Sequence, residues 1–66
     1  MKIEEAIRYF ERELEKIEEA EAIEASAGEP DEELLRAWSY EREATDMALA
    51  ALRVLQARLV CLGIDG

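Results

Sequence analysis

Two pairs of carboxylates are spaced so that they could work together. Glu15-x-x-Glu18 and Glu43-x-x-Asp46 each set two acids three residues apart, which on a helix brings both to one side. Acids so placed could hold a divalent cation or carry out acid–base catalysis. In a hairpin turning near Glu29 the two pairs would lie at similar height. Their direction is unfavourable. On helical wheels Glu43 and Asp46 sit roughly 100° and roughly 160° from the centre of their helix's apolar face, and Glu15 roughly 120° from its own. All three would point outward. The same spacing recurs at Glu18–Glu21 and Glu21–Glu24, so in this acidic chain it is a weak signal.

Other chemistries lack their parts. With no His, the Glu-x-x-His motif of di-iron bundles cannot be built. A single Cys gives neither a disulfide nor a structural zinc site. There is no D-x-D-x-D-G calcium loop and no glycine-rich phosphate loop. Cys61 has no His to activate it, and among Leu59, Val60 and Leu62 it is expected to be a buried apolar thiol. No catalytic, metal-ligating or cofactor-binding residue is assigned, and no cofactor is expected.

The elements that position these side chains are helical. Ile3, Ile7, Phe10, Leu14 and Ile17 recur at alternating steps of four and three, a narrow one-sided seam. The next positions in register are Glu21 and Glu24, so the packed seam is expected to fail there. Residues 18–27 should then form a helix end facing water. Gly28–Glu29–Pro30 is the clear break: Gly28 suits a left-handed helix stop and Pro30 the first position of a new helix, with Asp31, Glu32 and Glu33 in its first turn. Ser39 could cap a restart, but no Gly or Pro interrupts the run to Leu62, which favours a continuous second helix. That helix would overhang the first at its C-terminal end, with Gly63 as its stop.

The second helix is apolar on more than one side. Leu62, Leu59, Leu55, Leu52, Ala48 and Thr45 form one row, and Val54, Ala51, Met47, Ala44, Tyr40 and Ala37 an adjacent one. These two rows read as the main apolar face, with Leu35, Trp38, Leu49 and Val60 pointing away from it. One partner helix cannot cover so much apolar surface. A 66-residue chain without a disulfide or metal also has little core, since below about 70–80 residues one core rarely supplies more than about 3–5 kcal/mol. Self-association is the remaining way to stabilise it.

The formal charge of −9 is uneven. Residues 1–33 hold thirteen acids against four bases, and residues 34–66 four against four. Between Glu13 and Glu33, ten acids stand against Lys16 alone. Such a surface repels nucleic acid and anionic membranes and attracts basic partners; the plainer reading is a solvated helix face. No apolar run approaches the roughly 20 residues of a membrane span, and no signal segment is visible. Together with one lone thiol, this points to the cytoplasm.

Two resemblances add expectations of their own. The paired acids, with the closing Leu62–Gly63–Ile64–Asp65, resemble motifs of the all-α nucleotide pyrophosphohydrolases, which implies acids holding Mg²⁺ against a nucleotide's phosphates; that family uses more helices than this chain has. Ile3–Glu4–Glu5–Ala6–Ile7 and the stretch Glu41–Arg42–Glu43–Ala44–Thr45–Asp46–Met47–Ala48 through Arg53 resemble short phage and prophage proteins of gut Firmicutes, over about a third of the chain. That resemblance implies a phage accessory protein, a class that includes inhibitors of bacterial defence.

The sequence therefore predicts an all-α protein, an antiparallel two-helix hairpin (helix 3–27, turn 28–30, helix 30–62) that dimerises into a four-helix bundle. The expected core is Ile7, Phe10, Leu14, Ile17, Met47, Ala48, Ala51, Leu52, Leu55 and Leu59. The expected dimer interface is Met47, Ala51, Leu52, Leu55, Leu59 and Leu62. The expected function is non-enzymatic: an acidic protein-binding module of the bacterial cytoplasm, of phage anti-defence type, occupying the basic groove of a host nuclease or other nucleic-acid-binding protein. Glu18, Glu21, Glu24, Glu32, Trp38 and Tyr40 would contact that partner. The alternatives are a pyrophosphohydrolase-like Mg²⁺ enzyme and a phage assembly adaptor.

Overall fold

The computed structural model describes residues 1–63, two α-helices and the turn between them. The first, α1, spans Ile3–Ala25, and the second, α2, spans Glu32–Cys61 without interruption at Ser39. No strand is present among the described residues, and none of their helices is long and apolar enough to cross a membrane.

The turn is built from side-chain caps. At the end of α1 the Ser26 hydroxyl donates to the Ala22 carbonyl at 2.9 Å, and Ser26 keeps a right-handed backbone. The Asp31 carboxylate accepts from the Glu33 and Leu34 amides at 3.0 and 3.2 Å, which supplies the free N–H groups of the first turn with an acceptor. The second helix therefore starts after Asp31 rather than at Pro30. Gly28 does not take the expected left-handed conformation. Only Gly63 does, at φ 72° among the described residues, and its amide donates to Val60 as α2 ends. The expected Ile64–Asp65–Gly66 tail lies outside the described residues.

Ion pairs mark the direction and register of the two helices. Arg53 reaches Glu11 at 3.1 Å and Arg42 reaches Glu21 at 3.5 Å; moving forward along α1 moves backward along α2, so the pair is antiparallel. Glu4, Ile7 and Arg8 border one hollow with Gln56, which continues the same register to the open end. The start of α1 is thus level with the last turn of α2. The extra length of α2 lies at the turn, not at the C-terminal end where the sequence placed the overhang.

The hydrophobic contact is a single thin seam. Among the described residues, Ile7, Ile17 and Leu49 are buried, and only Leu49, 1 % exposed, is fully enclosed. Half-buried Ile3, Phe10 and Leu14 complete the α1 side, and Leu35, Trp38, Leu52 and Leu59 the α2 side. This corrects the expected core. Met47, at 74 % exposed, and Leu55, at 46 %, face outward, as does Ala51. Leu35, Trp38 and Leu49, expected to point away, face α1 instead. The physical reason is area: a row holding Trp38 and several leucines buries more apolar surface than one alternating Ala37, Ala44 and Ala51 with larger groups. Polar residues in the winning row are tolerated because they find partners. Thr45 donates its hydroxyl to the Glu41 carbonyl at 2.8 Å, and Arg42 keeps its ion pair.

Leu49→Ala is expected to be among the most damaging single changes, costing about 2–5 kcal/mol as a buried Leu truncation. Asp31→Ala should cost about 1 kcal/mol through loss of the cap. Denaturation followed by circular dichroism measures both; a Leu49→Ala protein as stable as the parent would place the core elsewhere.

Candidate functional site

The four acids whose spacing suggested chemistry, Glu15, Glu18, Glu43 and Asp46, are all exposed. Glu15 lies beside Arg8, Glu11 and Arg12 along the outside of α1. Among the described residues no three His, Cys, Asp or Glu side chains are gathered closely enough to hold a metal ion. Cys61 is exposed, which corrects its expected burial. It sits on the outer side of α2, where Val54, Ala57, Arg58, Cys61 and Leu62 line a shallow hollow of about 480 Å³.

The acidic stretch divides into two populations. Glu18, Glu19, Glu29, Glu32 and Glu33 are exposed around the turn end. Glu21 and Glu24 are half-buried and serve the fold. One oxygen of Glu21 pairs with Arg42, while its other oxygen is buried without a hydrogen-bond partner. The Glu24 carboxylate accepts from the Asp31 amide at 2.9 Å, tying the end of α1 to the start of α2. Acids near a helix C-terminus oppose its dipole, and α1 has no basic residue in its last turn. The Arg42 guanidinium and the Asp31 N–H offset that cost. The seam therefore continues past Ile17 in polar form, instead of ending in a water-facing arm.

The two aromatic candidates also part company. Trp38 is half-buried against α1, while Tyr40 is 79 % exposed on the opposite side of α2. Tyr40 begins a continuous outer row at alternating steps of four and three: Ala44, Met47, Ala51, Val54, Arg58. All are exposed, and Leu55 and Leu62 flank the row. Of the six residues expected at a dimer interface, Met47, Ala51, Leu55 and Leu62 lie on this outer side, whereas Leu52 and Leu59 lean against α1. The sequence contained the row in full. Met47 and Ala51 of this row, expected in the core as well as at a dimer interface, are both left exposed; the seven-residue period marks a second helix-packing surface.

Comparison of the chain with protein-family models, curated proteins and solved structures returns no match.

Glu21→Lys should destabilise the hairpin by about 1–3 kcal/mol, because it replaces a charge-paired carboxylate with a cation facing Arg42. Glu18→Lys, exposed and unpaired among the described residues, should leave the melt nearly unchanged. Equal loss in thermal denaturation of the two variants would contradict this division of the acids.

Proposed function

We propose that the protein is a non-enzymatic binding module: two hairpins associate through the outer row of α2 into a four-helix dimer, and the acidic turn end engages a basic protein partner. The observation that carries this reading is the outer row of α2. Met47, Val54, Leu55 and Leu62 stand 46–74 % exposed on α2, the longer of the two described helices, and clustered apolar exposure of this kind marks a surface made to be covered by protein. Self-association also supplies the apolar burial that a hairpin with one fully enclosed side chain lacks.

The acidic end supports the second half of the reading. Glu18, Glu19, Glu29, Glu32 and Glu33 project into solvent at the turn and need not move to meet a positive surface. A protein whose own groove binds nucleic acid offers such a surface, and occupation of that groove by carboxylates would exclude the nucleic acid electrostatically. The resemblance of residues 41–53 to phage accessory proteins makes a host defence nuclease the partner class of choice, met in the host cytoplasm.

Sedimentation should report about twice the chain mass at micromolar concentration, with a melting temperature that rises with protein concentration. A monomer with a concentration-independent melt would refute the association. For the partner, the wild type should inhibit a basic host nuclease less strongly as salt rises. The variant Glu18→Lys/Glu19→Lys/Glu29→Lys should fold, since none of these side chains makes a contact across the hairpin, and should lose inhibition. Undiminished inhibition by that folded variant would remove the acidic end from the function.

A further inference from the structure

We infer that the outer row of α2 packs against the same row of a second copy in antiparallel orientation, placing the two acidic ends at opposite extremes of the dimer. The inference rests on the self-association proposed above and adds its face, direction and consequence.

The chain as a whole carries surplus surface on the scale of an interface between copies. The chain exposes 5277 Å², whereas a compact folded chain of its 7.5 kDa mass exposes about 4,250 Å² by the usual scaling. The surplus of about 1,000 Å² per chain exceeds the roughly 800 Å² that each partner contributes to a standard stable interface. A second copy packed on the outer row would remove part of this surplus from both chains at once, as a two-fold interface does.

Charge selects the direction. Arg58 closes the apolar row, one step beyond Val54, and makes no ion pair within the described residues, and neither does Glu43 beside the row. An antiparallel pairing with its two-fold axis at Ala51 sets Met47 opposite the partner's Leu55 and Ala44 opposite the partner's Arg58. The small Ala44 leaves room for the aliphatic stem of that arginine, and the guanidinium comes within reach of Glu43. At the axis, Ala51 against Ala51 lets the helices approach closely. A parallel pairing would set Arg58 against Arg58 in an apolar seam. It would also bring together two turn ends that each hold ten acids against one lysine over residues 13–33. Both contacts are repulsive. In the antiparallel dimer the acidic ends are far apart, and each can engage its own basic site, so a partner with two such sites would be bound bivalently.

Cysteine cross-linking of the full chain reads the direction. In the antiparallel dimer the two Cys61 thiols stand about 30 Å apart at ~1.5 Å per residue, so the wild type should not form an intra-dimer disulfide under mild oxidation. Tyr40→Cys, which keeps Cys61, should give a dimer joined by disulfides between positions 40 and 61 of different chains, identified by peptide mapping. Arg58→Glu should weaken dimerisation at least tenfold in sedimentation equilibrium, and Arg58→Glu/Glu43→Arg should restore most of the loss. A wild-type dimer readily cross-linked through Cys61 to Cys61, or a charge swap that rescues nothing, would overturn the antiparallel arrangement while leaving self-association standing. A monomeric wild type at 100-fold dilution from about 100 µM and at that concentration alike would overturn both and leave the row to a different protein.

Discussion

A helix can be covered on only one side by a single neighbour, and this hairpin has a single neighbour to offer. Its α1 presents a narrow stripe of Ile3, Ile7, Phe10, Leu14 and Ile17, and that stripe encloses one side chain of α2 fully, Leu49. Everything apolar on the far side of α2 is left in solvent by geometry. The unpartnered outer row is therefore a direct consequence of pairing one narrow helix with one broad one.

Within that limit, ion pairs accompany the packed seam: Arg53 with Glu11 and Arg42 with Glu21 bring together charges at particular heights. Each pair is partly solvated and individually weak. At the turn, the Glu24 carboxylate accepts from the Asp31 amide and ties the two helices together. Acids that compositionally look like a solvent-facing arm are thus divided between structural work at the seam and free charge at the tip.

The result is a rod with two surfaces of different character, 52 Å in its longest dimension. The outer row of α2 is apolar and lies towards the C-terminal half; the exposed acids gather at the turn. Separation of the two matters for the proposed function. A charged contact site gains from exposure and from fast, long-range attraction, while an apolar seam gains from exclusion of water. Placed on one patch they would oppose each other through desolvation of the carboxylates.

Helix content, the break around Gly28–Pro30 (with α1 ending two residues earlier than expected, at Ala25) and the seam on α1 were legible in the sequence, because helical periodicity and capping residues act over one or two turns. Asp31, an ordinary capping residue next to Pro30, is the cap, one position later than the start that Pro30 suggests. On α2 the sequence also held both apolar rows. What it did not determine is which row α1 covers, since that depends on how much area each row buries and on which arginines find acids across the hairpin. For the same reason Glu21 and Glu24 looked like part of a free acidic surface along with Glu18 and Glu32. A charge is structural or available only relative to what stands opposite it, and the opposite residue is seven positions away for Glu24 and twenty-one for Glu21. Only the tertiary structure decided that Leu49 is inside, that Met47 and Leu55 are outside, and that the acids near the end of α1 belong to the fold.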